Sequence, residues 1–121
     1  MKSQKLSIAL KRAYDEPAKS DGTRVLVERL WPRGLSKERA RIDLWLKEVS
    51  PSAELRKWYN HDTQKFQEFR HRYEEELSSE AAQEALTKLR DIAMQGQLTL
   101  IFAARDIAHS SAVILHDFLL L

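Results

Sequence analysis

From Leu6 to Leu10 large apolar residues alternate with Ser7 and Ala9 before Lys11-Arg12, a period of two that predicts a first strand. Asp15-Glu16-Pro17 breaks it, and Ser20-Asp21-Gly22 signals a turn. The run from Arg24 to Trp31, rich in β-branched and large apolar residues and closed by Pro32-Arg33-Gly34, predicts a second strand. Helical spacing takes over after that. Ser36 is a cap candidate for a first helix, and Ser50 before Pro51, with Glu54 after them, matches the start of a second one carrying Leu55 and Trp58 inward.

Phe66, Phe69, Tyr73 and Leu77 recur at helical spacing, which predicts a helix over 62–77 whose aromatic stripe faces the core rather than a cofactor. Ala82, Ala85, Leu86, Leu89, Ile92 and Ala93 mark another over 79–95, ended by Gly96. The nearly continuous apolar run Leu98 to Ala103 then reads as a central strand covered on both faces. Residues 107–121 predict a largely buried final helix, with Asp106 as its cap. Strands separated by helices make this a single α/β domain, a small and mostly parallel sheet flanked by α-helices.

Composition agrees with one folded domain: 121 residues, 43% hydrophobic and 31% charged. The first apolar stretch, Leu6 to Leu10, is too short for a leader or a membrane span, and the chain has no cysteine, so a cytoplasmic setting without disulfides or thiolate chemistry is expected. The net charge of +2 is uneven. Residues 1–41 hold 11 Lys/Arg against 5 Asp/Glu, and residues 42–96 hold 8 against 11, an asymmetry that favours an anionic partner or decorates a solvated surface.

Ligands of open parallel sheets bind outside the carboxyl ends of the strands, where loops and helix N-termini gather. The second strand ends in Arg29-Leu30-Trp31-Pro32-Arg33, and the last runs into Arg105-Asp106 before His109-Ser110-Ser111 open the final helix. Arginine offers a rigid fork of donors to phosphate or carboxylate, and a helix start adds unpaired amides. The anion-binding candidates are therefore Arg29, Arg33 and Arg105, with His109, Ser110 and Ser111 beside them. The alternative leaves Arg29 on the solvent face of the sheet and pairs Arg105 with a local acid. Lys47, Arg56 and Lys57 either reach the same rim or solvate a helix. Candidates for a nucleophile or base are His109, Ser110, Ser111, Glu28 and Asp106, none of them singled out. His61, His71, His109 and His116 form no metal-ligand pattern, and with no glycine-rich phosphate loop or nucleophile elbow neither a metal nor a cofactor is expected.

Val25-Leu26-Val27-Glu28-Arg29-Leu30-Trp31-Pro32-Arg33-Gly34, Asp43-Leu44-Trp45, Pro51-Ser52-Ala53-Glu54-Leu55-Arg56 and Ala103-Ala104-Arg105-Asp106 together resemble the YeaO-like bacterial proteins of the domain of unknown function 488 family. The resemblance spans nearly the whole chain and implies a bacterial cytosolic α/β domain. Longer members are similar to it but place Cys-His-Arg where Ser110-Ser111-Ala112 stand, and YeaO-like members carry Asn-His at Ser110-Ser111. The departure weakens any transfer of catalysis. Three readings follow: a binder of a phosphate- or carboxylate-bearing small molecule; a nucleic-acid-associated accessory protein using the basic N-terminal third with Trp31 and Arg33; and a partner-binding domain with an apolar patch around Trp45 and Trp58. No nucleic-acid motif is present, and nothing in the sequence sets the reaction or the oligomeric state.

Overall fold

The apolar run near the C-terminus becomes the centre of the molecule. In the computed structural model, which describes residues 6–121, Leu98–Phe102 is a strand buried at all five positions. Four strands, β1 Ile8–Arg12, β2 Thr23–Leu26, β3 Leu44–Trp45 and β4 Leu98–Phe102, pair in the order β1-β4-β2-β3, and every pairing is parallel. Parallel strands need crossovers: β1 reaches β2 through a loop with one short 3-10 turn, and the α-helices occupy the connections from β2 to β3 and from β3 to β4 and the segment after β4. The α-helices are α1 Lys37–Ala40, α2 Ala53–Tyr59, α3 Phe66–Leu77, α4 Glu80–Gln95 and α5 Ser111–Leu119.

Alternation along the strands sorts the core into two parts. Leu98, Leu100 and Phe102 of β4 and Val25 of β2 join Phe69, Tyr73, Leu77, Leu86, Leu89, Ile114 and Leu115 from the helices in the main core, with Ile8 and Leu10 of β1 packed against it. The opposite face is covered more thinly. There Leu26, Ile101 and Ala13 meet Trp31, Leu35 and Ile42 from the long β2–β3 connection and Trp45 of β3. Trp31 and Trp45 pack edge to face, 5.6 Å between ring centres, and each indole donates to a carbonyl, Leu35 and Glu28 respectively.

Several boundaries differ from the sequence expectations. The second strand was expected to reach Trp31 but stops at Leu26. Val27 still donates to the Ile101 carbonyl, but the next amide of the ladder, that of Ala103, is taken by the side chain of Glu28 at 2.9 Å, so the backbone peels away. The second helix is capped by Ser52 rather than Ser50, with Pro51 outside it, because the Ser52 hydroxyl accepts from the Leu55 amide. Asp106 does not cap the last helix. Its carboxylate accepts from the His109 amide and meets His109 Nδ1, closing a turn, and Ser110 is the cap of a helix that begins at Ser111 and ends at Leu119. β3 was not anticipated as a strand. Trp45 and Trp58 do not share an exposed patch, since both are half-buried and they lie against different cores.

At the amino ends of the strands the polar groups are fully committed. Arg24, 4% exposed, donates to Asp21 Oδ2 at 2.6 Å and to the carbonyls of Ala40 and Arg41, while Lys11 holds the other side of Asp21. Burial pushes the Asp21 carboxyl up, but the Ala18 amide and the Lys11 and Arg24 donors outweigh it and hold the group below its ordinary value. Gly22 sits beside this cluster at φ 63°, where an added Cβ would stand 2.2 Å from the Gln97 carbonyl oxygen, so only glycine fits. No helix of the described residues is long and apolar enough to cross a membrane.

Candidate functional site

The carboxyl ends of the strands are built differently. Where β2 peels off β4 after Leu26, the sheet opens into a cavity of about 650 Å³, a volume within the usual range of small-molecule sites, about 300–1,000 Å³. Its apolar wall is Pro51, Tyr59, Phe69, Ala103 and Ala104; its polar groups are Glu28, Arg56, His61, Thr63, Arg105, Asp106, His109, Ser110 and Ser111. Three segments therefore converge there: the loop after β2, helix α2 with the turn that follows it, and the loop from β4 into α5.

Each segment is held by local structure. Ser52 caps α2 and is itself gripped by Glu76 of α3, whose two oxygens accept from the Ser52 amide at 2.8 Å and its hydroxyl at 2.7 Å. That fixes the direction in which Arg56 and Tyr59, one and two turns along, project. Asn60 and His61 then both take left-handed backbone conformations, at φ 46° and 56°, turning the chain sharply and bringing His61 to the cavity's lip. Tyr59 stacks on Phe69 with ring centres 4.0 Å apart, and its hydroxyl donates to the His109 carbonyl at 2.8 Å, tying α2 to the loop before α5.

The charged groups are placed unequally. Glu28 is half-buried, and desolvation raises its pKa against the pull of the Ala103 amide and the Arg56 charge. Only its Oε2 is bonded, to Ala103; Oε1 takes no hydrogen bond from the described residues. Arg56 has its Nε buried with no hydrogen-bond partner, the sort of group that a folded protein normally satisfies. Arg105 is exposed at the lip. Asp106 and His109 pair with each other at 2.8 Å, and the His109 ring meets Phe66 edge-on. Burial, with the nearby charges of Asp106 and Asp62, pushes the Tyr59 hydroxyl up, so it stays a neutral donor. The Ser110 hydroxyl is spent within the fold, donating to the Ile107 carbonyl and accepting from the Val113 amide. The first amides of α5 have no partner inside the helix and open beside Ser111.

Of the six residues expected at an anion site, Arg105, His109, Ser110 and Ser111 line this cavity, and Arg29 and Arg33 do not. Because β2 ends early, both lie on the connection beyond it. Arg29 turns back to the carbonyls of Pro51, at 3.3 Å, and Ser50, at 3.5 Å, bracing the approach to α2, and Arg33 is exposed on a turn whose carbonyl accepts from Tyr14. Arg56, Tyr59 and His61 complete the lining. Arg56 was one of three basic residues that spacing allowed to reach the rim; Tyr59 and His61 gave no signal of their own, since the stacking and the double left-handed turn that place them are tertiary. No group of three or more potential metal ligands forms among the described residues.

Comparison with known families decides one point. Residues 7–121 match DUF488-N3i, the inactive DUF488-N3 subclade. The chain belongs to this family. It is 41% identical over 112 residues to the uncharacterized protein Rv3073c of Mycobacterium tuberculosis strain H37Rv, covering 93% of this chain and 92% of that one. It is 40% identical over 114 residues to the uncharacterized protein YeaO of Escherichia coli K12, covering 94% and 97%. No solved structure matches it significantly. The YeaO-like resemblance read from the sequence is thus shown, and these two bacterial relatives align with the chain over nearly its whole length.

Proposed function

We propose that this protein binds a small molecule carrying a carboxylate or phosphate group, held at the carboxyl ends of β2 and β4, without turning it over. The observation that carries this reading is that Arg56, whose guanidinium makes no hydrogen bond or ion pair among the described residues, lines a cavity of about 650 Å³. A guanidinium with no protein partner forms charge-assisted hydrogen bonds with an arriving anion without giving up a protein contact. Arg105 at the lip and the first amides of α5 add to the same potential. Binding without turnover is favoured because the Ser110 hydroxyl is consumed by capping and the matched subclade is described as inactive.

Thermal melts with millimolar phosphate, sulfate and simple carboxylates test it. A ligand that binds only the folded state stabilises it by about 2.7 kcal/mol at a hundredfold excess over its dissociation constant, so a binder raises the melting temperature. The shift is expected to shrink in Arg56→Ala and Arg105→Ala and to persist in Lys19→Ala and Lys37→Ala, which change net charge equally but lie outside the cavity. Equal losses in all four variants mean general electrostatic attraction and overturn the proposal.

A further inference from the structure

The cavity's charges balance, and a simple anion leaves half of them unused. Arg56 and Arg105 face Glu28 and Asp106 around one space that also has an apolar wall. Asp106 is already occupied, with one oxygen on the His109 amide and the other on His109 Nδ1. Glu28 is not, because Oε1 has no protein partner among the described residues, and no ion pair joins it to Arg56. A carboxylate oxygen and a guanidinium of opposite charge, neither bonded within the protein among the described residues, thus line the same cavity.

We infer that the ligand is a small zwitterion, an α-amino acid with an apolar side chain, whose carboxylate meets Arg56 and Arg105 and whose ammonium meets Glu28. The side chain then lies against Pro51, Tyr59 and Ala104. A pure anion would set its charge near the Glu28 carboxylate, and a pure cation near the Arg56 guanidinium. One molecule carrying both signs a few bonds apart satisfies both, and an apolar body matches a wall with no other polar demand. The Tyr59 hydroxyl is held by the His109 carbonyl, so that face of the wall offers a ring rather than a competing donor.

This inference rests on the anion-binding reading, and calorimetric titration separates the two. The probes are L-phenylalanine and L-leucine, their counterparts lacking the amine, 3-phenylpropionate and 4-methylpentanoate, and phenethylamine. One of the amino acids is expected to bind at least about tenfold more tightly than its counterpart without the amine, the worth of a charge-assisted hydrogen bond. Glu28→Gln, which keeps an acceptor for the Ala103 amide, should erase that difference, the plain carboxylate binding at least as tightly as before because the repelling charge is gone; Arg56→Ala should weaken both. If plain carboxylates bind as well as amino acids, or if Glu28→Gln leaves the preference intact, the zwitterion is wrong and the anion site stands. If phenethylamine matches phenylalanine, or if no carboxylate binds, both fall.

Discussion

Asp21 is a buried acid and Glu28 a half-buried one, and the fold treats them in opposite ways. Asp21 has Lys11, Arg24 and the Ala18 amide around it, and its carboxyl is held below the ordinary value. It therefore contributes stability that is present above the unfolded-state pKa and is lost as pH falls through the lower folded one. In urea melts Asp21→Asn should be clearly less stable than the parent at neutral pH, and the gap should close on acidification below about pH 4. A gap independent of pH would show that charge is not what the cluster uses. Glu28 is raised, chiefly by burial, so its ionisation as pH rises past the unfolded-state value favours unfolding. Glu28→Gln should accordingly be at least as stable as the parent at pH 7, and a large loss would make Glu28 a structural rather than a ligand-facing group. Phe69, 2% exposed and stacked on Tyr59, is the packing counterpart, and Phe69→Ala should cost about 3–5 kcal/mol in denaturant melts. A near-neutral result would contradict the packing of α3.

Among the elements, α2 matters most for the site because it carries Arg56 and Tyr59. Its start depends on Ser52, which caps the helix and is bound twice by Glu76. Ser52→Ala should cost about 0.5–2 kcal/mol in urea melts and weaken ligand response together with stability, since the helix would lose its anchor to α3. No change in either would mean that the cap and the Glu76 contact are incidental. The sequence made the regular elements readable wherever one face is buried. The stripe Phe66, Phe69, Tyr73 and Leu77 and the run Leu98 to Phe102 announce α3 and β4 because periodicity reports a single core. What it missed was decided by side-chain bonds that leave no period in the sequence, one across the fold and one within a turn. Glu28 ends β2 by taking the Ala103 amide, and Asp106 folds onto His109 instead of capping α5. A two-residue strand such as β3 is too short to show a period at all.

On the scale of the whole molecule, the two ends of the sheet divide structure from chemistry. At the amino ends Arg24 and Asp21 are buried and bonded, and that charge serves the fold. At the carboxyl ends the ladder between β2 and β4 breaks, and charged groups with unused bonding capacity surround open space. The rim itself could be foreseen from topology, because parallel sheets place loops and helix starts there. Which arginines reach it could not, since that depends on where β2 stops. Amide chemical-shift mapping with a carboxylate or phosphate titrant examines this division directly. The account predicts perturbations concentrated at residues 103–105, 109–112, Glu28 and Arg56, with little change around Lys11, Asp21 and Arg24. Shifts spread over the basic N-terminal third, or none at saturating titrant, would contradict it.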